Sequence, residues 1–258
     1  MLKRALLLLA ACAMAPAAAQ SGRQALGEAE LAAAVAAPGR PADAIALDAV
    51  RRPAEVLRFL GLRRGDRVLD YFTGTGYYAE IMARAVGPQG LVVGWNSSAF
   101  ASNERVRGAL AELRGRNRNT AFYGTPATAI AFPEESFDFI MLHLVYHDAY
   151  WESAQYRLPR IDPNTVVQAV WRAVRPGGTV AVIDHVAPAG GDTRAVVEAR
   201  HRIDPAVVRA DFERAGFVLE AQSEMLRNPD DDYTVNVFDP AIRGRTDRFV
   251  YRFRRPAR

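Results

Sequence analysis

Val68-Leu69-Asp70-Tyr71-Phe72-Thr73-Gly74-Thr75-Gly76-Tyr77 is the stretch on which the fold turns. With Arg67 in front and the turn pair Gly65-Asp66 before that, the apolar run to Tyr71 reads as a short strand. It ends in a carboxylate, passes through two glycines and enters a helical stretch from Tyr77 to about Val86. Glycine lets backbone approach a ligand closely, and a new helix offers free N–H groups to a negative group. Taken literally, Gly74-Thr-Gly76-Tyr-Tyr-Ala79 fits the dinucleotide pattern G-x-G-x-x-A. That pattern calls for an acidic residue about 20 positions later to hold a ribose, and position 96 is Asn. Asp70 also stands where dinucleotide binders usually carry an apolar residue. The plainer alternative is a tight strand-to-helix turn with no ligand.

Outward from this loop the same alternation repeats. Gly90 to Trp95, Thr120 to Tyr123, Phe137 to Val145, Thr179 to Ile183, a run from Phe217, and Arg248 to Phe253 read as strands. Asn103 to Arg114, Asp162 to Val174 and Pro205 to Ala215 read as helices, the second with Asp162 as cap and Pro163 at its first position. Strands alternating with helices predict a mostly parallel, doubly wound α/β sheet covered on both faces. Ligands of such sheets sit at the carboxyl ends of the strands, where Asp70 and the glycines fall.

A chain of 258 residues, half of them hydrophobic, buries one sizeable core. Thirty-three basic against 29 acidic residues give a net charge of +4, and no basic run interleaved with aromatics points to a nucleic acid. Residues 1–19 differ from the rest. Lys3 and Arg4 precede an apolar run from Ala5 to Ala15, and Pro16-Ala-Ala-Ala19 has the small residues of a cleavage site. A membrane-spanning helix needs about 20 apolar residues, so a removable signal peptide is expected, and with it export to the periplasm or beyond. Leu9-Ala-Ala-Cys12 resembles a lipoprotein box, which makes a lipid anchor at Cys12 the minor alternative. Cleavage after Ala19 leaves a chain without cysteine and with 31 basic residues against 29 acidic. No later segment is long and apolar enough to span a membrane. Residues 20–60 form an Ala-rich helical segment broken by Pro38, Pro41 and Pro53, and residues 61–258 the α/β domain.

Asp70 to Gly76 resembles motif I of class I methyltransferases, whose form is Asp-x-Gly-x-Gly-x-Gly. Arg172-Ala-Val-Arg-Pro-Gly-Gly178 resembles the Leu-Lys-Pro-Gly-Gly element of the same families, and Pro133-Glu-Glu-Ser-Phe-Asp138 their turn into the fourth strand. A closer resemblance, over about residues 45–255, is to a group of exported bacterial predicted methyltransferases. Tyr146-His147-Asp148, Asp184-His185, His201-Arg-Ile-Asp204, Asn228 to Asp232, Phe238-Asp-Pro240 and Arg243 to Asp247 carry it. The resemblance implies a Rossmann-like, seven-stranded, mostly parallel sheet with an antiparallel last strand. It also implies S-adenosylmethionine as cofactor, held by Asp70, Thr73, Gly74, Thr75, Gly76, Tyr77 and Asn96. Three departures stand out. Phe72 replaces the first glycine, Asn96 the ribose acid, and the acid expected near Thr125-Pro126 is missing.

Methyl transfer from a sulfonium needs alignment of nucleophile and methyl, and in some cases removal of a proton. The end of the fourth strand, beside the glycine loop, carries the candidates. His147 is a base near neutral pH, Asp148 its orienting group or a substrate ligand, and Tyr146 a border to the sulfonium. His185, after the next strand, faces the same cleft or bonds backbone; His201 closes the pocket or caps a helix. A hydrogen-bonded strand-end cluster without catalysis is the competing reading for all of them. No metal is assigned: His143 and His147, placed on one strand, would stand about 13 Å apart, and His147, His185 and His201 can meet without binding an ion. Arg51-Arg52 either reaches the cofactor carboxylate or, the preferred reading, forms a surface pair, and Asp230-Asp231-Asp232 reads as a solvated turn.

The expected reaction is methyl transfer to a small molecule, with acceptor and oligomeric state unassigned. A ligand-binding protein on a repurposed fold and a metal-assisted hydrolase are the alternatives.

Overall fold

The computed structural model describes residues 24–258, so the expected signal peptide and Cys12 lie outside the described residues. Among the described residues, four helices precede the first strand: α1 (Glu28–Ala36), α2 (Ala42–Ile45), α3 (Asp48–Arg51) and α4 (Pro53–Leu60). The rest alternates as β1 (Arg67–Tyr71), α5 (Tyr77–Val86), β2 (Leu91–Ser97), α6 (Ser98–Ala101), α7 (Glu104–Arg116), β3 (Thr120–Thr125), β4 (Phe137–His143), α8 (Pro163–Ala173), β5 (Val174–His185), α9 (Thr193–Arg200), α10 (Pro205–Arg214), β6 (Val218–Ser223) and β7 (Arg248–Arg254). A 3₁₀ turn, Tyr146–Tyr150, follows β4.

The seven strands form one sheet in the order β3-β2-β1-β4-β5-β7-β6. Pairing is parallel from β3 to β5, and β7 runs antiparallel to both β5 and β6. This is the class I methyltransferase arrangement. Strand order reverses between β1 and β4, which creates a crevice at their carboxyl ends. The register lines those ends up: Asp70 lies opposite Gly94 and Met141, Tyr71 opposite Trp95 and Leu142, and His143 opposite Ile183.

Side chains alternate between two cores, one on each face of the sheet. Leu69, Ile140 and Leu142 join Val167, Val170, Phe212 and Phe253 on one face. Val68, Phe139 and Met141 join Ile81, Met82, Leu31, Val56, Leu57 and Leu60 on the other. The helices before β1 therefore belong to the second core, with Leu31, Leu57 and Leu60 fully buried. Cutting one such leucine to alanine costs about 2–5 kcal/mol.

Local signals fix several boundaries. Asn103 and Asp162 accept hydrogen bonds from the first turns of α7 and α8, and Pro163 opens α8. Two expectations need correction, and one helix is additional. β4 stops at His143 rather than Val145, because Leu144 turns at φ 55°. β5 starts at Val174 rather than Thr179: Phe137 pairs with Val174 and Phe139 with Thr179, so Arg175 to Gly178 bulge within the strand. The helix α9 was not expected; Asp192 caps it by accepting from Arg194 and Ala195.

Candidate active site

β1 delivers Asp70 to the crevice, where it is 3% exposed and accepts a 2.6 Å hydrogen bond from the Thr73 hydroxyl. Burial pushes its carboxyl up to about 7, against the opposing pull of Thr73, the Ala79 amide and the Arg51 charge. The chain then turns through three left-handed residues: Phe72 (φ 55°), Gly74 (φ 60°) and Gly76 (φ 92°). Phe72 thus holds a left-handed backbone that favours glycine, a geometry that strains an L side chain. Its ring is held against Phe100 and Trp95, at 5.1 and 6.1 Å between centroids. A Cβ at Gly74 would meet nothing within 4 Å, so backbone at that point is open to a ligand.

Asn96 does not line the cavity. Its amide is 1% exposed and clamps the loop, accepting from Gly74 N at 2.9 Å and donating to Gly74 O at 3.1 Å. Gly76 is the N-terminal cap of α5 and does not line the cavity either. Asp70, Thr73, Gly74, Thr75 and Tyr77 do line it.

Arg51 belongs to this end of the cavity, contrary to its reading as a surface residue. Arg52 turns at φ 46° and points outward to pair with Glu55, while Arg51 lies over the Tyr77 ring at 4.3 Å. The Tyr77 hydroxyl donates to Asp48, and Asp48 pairs with the buried Arg40. Residues from before β1 therefore wall the space above Asp70.

The other end of the cavity is a histidine cluster. The 3₁₀ turn after β4 carries His147 and Asp148 off the strand, so the strand spacing expected between His143 and His147 does not apply. Asp184, fully buried at the end of β5, orients His147. One carboxylate oxygen accepts from the His147 amide at 2.9 Å, and the other stands 2.8 Å from His147 Nδ1 and accepts from the His185 amide at 2.8 Å. Asp148 sits on the opposite edge of the ring, 3.3 Å from Nε2. Burial alone would depress the His147 pKa, but the two carboxylates prevail and hold it at about 9. The carboxylates on the two edges of the ring thus favour its protonated form.

His185 is pushed well below its ordinary range by burial and by the charges of His147, Arg248 and Arg202. Its Nδ1 lies 2.7 Å from the Thr246 hydroxyl, and the residue borders the cavity. His201 caps α9 in the left-handed region (φ 51°), 5.5 Å from the His147 ring. Tyr146 is not at the cavity. It is fully buried, its hydroxyl donates to Asp211 at 2.7 Å, and its ring packs on Phe212, so it anchors the turn into the core.

Both ends open into one cavity of about 900 Å³, near the top of the usual range for small-molecule sites. Trp151, Tyr156 and Phe238 wall the histidine end, and Phe72 and Phe100 the glycine end.

Residues 62–235 match the family described as "Methyltransferase domain". The chain belongs to this family. A relative is the ubiquinone/menaquinone biosynthesis C-methyltransferase UbiE of Serratia proteamaculans, 29% identical over 130 residues, which are 50% of this chain and 46% of that one. The chain thus spans about half the length of the curated relatives it matches. Among solved structures, an S-adenosylmethionine-dependent methyltransferase from Mesorhizobium loti superposes with TM-score 0.55 at 19% identity, over 81% of this chain and all of that one. The [4+2]-cyclase SpnF superposes with TM-score 0.54 at 20% identity, covering 84% and 82%. A fold shared with a cyclase does not by itself name a reaction.

The cofactor of this methyltransferase family is S-adenosylmethionine, and the glycine end fits it. Asp70 offers a carboxylate to an ammonium and Arg51 a guanidinium to a carboxylate. Gly74 offers open backbone, and Phe72 with Phe100 an aromatic edge for a purine.

Proposed function

We propose that this protein transfers the methyl group of S-adenosylmethionine to a small molecule that enters beside the histidine cluster. The observation that carries this reading is that a single cavity joins Asp70, Gly74 and Arg51 to His147, Asp148 and His185. The cofactor supplies an activated methyl; the protein aligns it with an acceptor and excludes water. Asp70 and Arg51 bind and orient the cofactor's amino-acid end, while Thr73 and Asn96 hold the loop. His147 and His185 border the acceptor, and His185, whose burial disfavours the charged form, is the one placed to take a proton. The aromatic wall of Trp151, Tyr156 and Phe238 favours a planar acceptor, in keeping with the likeness to a quinone-pathway C-methyltransferase.

Calorimetric titration with S-adenosylmethionine and S-adenosylhomocysteine tests the reading. Micromolar binding lost in Asp70→Ala supports it, and folded protein that binds neither overturns it. We further propose that the protein is exported after removal of residues 1–19, on the strength of that segment's charge and apolar pattern. N-terminal sequencing of exported material decides this, and an intact Met1 refutes it.

A further inference from the structure

Three side chains at the acceptor end have the makings of a metal site. A ring nitrogen of His147, a carboxylate oxygen of Asp148 and a ring nitrogen of His201 all lie within 4.8 Å of one another. Asp148 Oδ1 stands 3.3 Å from His147 Nε2 and 3.7 Å from His201 Nδ1. Ligands about 2.0–2.1 Å from a tetrahedral ion stand about 3.3 Å apart, so both Asp148 contacts are near ligand spacing, and the two histidines, within 4.8 Å of each other, would draw together around one ion. His201 Nδ1 is buried and has no hydrogen-bond partner among the described residues, the condition of a donor atom awaiting a ligand.

Two supporting features point the same way. Metal-bound histidines almost always give their second ring nitrogen to a carboxylate or carbonyl. His147 does so, with Nδ1 on Asp184 at 2.8 Å and Nε2 toward Asp148, where the ion takes the place of the Nε2 proton and releases it to solvent. His201 is held by its surroundings: its ring meets Trp151 edge-on at 4.6 Å and Phe238 at 5.1 Å, on a left-handed backbone residue. Strain at such a position is typical of sites whose geometry matters.

We propose that His147, Asp148 and His201 bind one divalent transition ion, zinc foremost. Two imidazoles and one carboxylate suit zinc, iron, cobalt or nickel and not magnesium or calcium. Three protein ligands leave a coordination position, and all three residues border the cavity, so that position faces the acceptor's space. There the ion holds an ionised acceptor oxygen, such as a phenolate, beside the methyl donor. This last role rests on the methyltransferase reading; the binding of metal does not.

The test uses purified full-length protein stripped with chelator and then titrated with Zn²⁺ and with Co²⁺. The expected result is one equivalent of each, and visible cobalt absorption bands of a low-coordinate nitrogen-oxygen site. His201→Ala and Asp148→Asn should weaken Zn²⁺ binding at least tenfold while keeping the thermal transition and affinity for S-adenosylhomocysteine. Asp70→Asn, at the cofactor end, should leave Zn²⁺ stoichiometry unchanged. Absence of stoichiometric binding in the folded protein, or binding unaffected by both cluster variants, overturns the proposal. Zinc bound without any affinity for S-adenosylhomocysteine would keep the metal site and refute the methyltransferase reading; the reverse pattern would do the opposite.

Discussion

Asn96 clamps Gly74 through both of its backbone polar groups, accepting from its N–H at 2.9 Å and donating to its carbonyl at 3.1 Å. The amide is buried and serves the loop rather than a ligand. Asn96→Ala removes the side-chain partner of both Gly74 backbone groups and should cost about 1–3 kcal/mol, with weaker cofactor binding. Asn96→Asp removes the donor to the Gly74 carbonyl and should also lower the melting temperature. A melting temperature equal to wild type in Asn96→Asp would show that the clamp does not form.

Arg51 and Arg52 should separate cleanly by titration. Arg51→Ala removes the only one of the pair at the cavity and should weaken S-adenosylhomocysteine binding at least tenfold with a small change in melting. Arg52→Ala breaks an exposed pair with Glu55, worth at most about 1 kcal/mol, and should leave affinity intact.

Asp70 sets a pH dependence. Its folded pKa of about 7 lies above the ordinary carboxylate value of 3.8. Its contribution to stability is therefore full below about pH 4 and lost as pH rises through 7. Thermal melts of wild type and Asp70→Asn between pH 5 and 8 should show a flatter slope in the variant. Binding of a ligand whose ammonium needs the ionised carboxylate, with Arg51 the neighbouring charge, should strengthen over the same range.

Asp231 and its neighbours should differ sharply. Asp231 is 3% exposed and takes both Arg202 nitrogens at 2.8 and 2.9 Å, with the Asp247 amide at 2.7 Å. Asp231→Ala strands a buried guanidinium and should cost about 3–5 kcal/mol in chemical denaturation. Asp230→Ala and Asp232→Ala, both exposed, should stay within about 0.5 kcal/mol.

Much of the fold was legible because its signals are local. The β1–loop–α5 unit, the Asp162-Pro163 start of α8 and the alternation of β7 are each written in adjacent residues. What could not be read is set by distant partners. Arg51 and Arg52 are the same residue type, and only the turn at φ 46° sends one inward. In Asp230-Asp231-Asp232 the buried member is chosen by Arg202, 29 positions away. Tyr146 and His147 are adjacent, yet one faces Asp211 and the core while the other faces Asp184 and the cavity. Sequence adjacency placed the cluster at the right strand ends without saying which atoms meet.

Phe72 carries a consequence for how this position can drift. Its backbone excludes β-branched residues, for which φ 55° is a severe outlier. Glycine would suit the backbone but leave a hollow beside Phe100 and Trp95. Positions 72 and 100 are therefore tied: a lineage that regains glycine at 72 must refill the space from the α6 side, and one that trims Phe100 loses the packing that keeps a phenylalanine in a glycine's conformation.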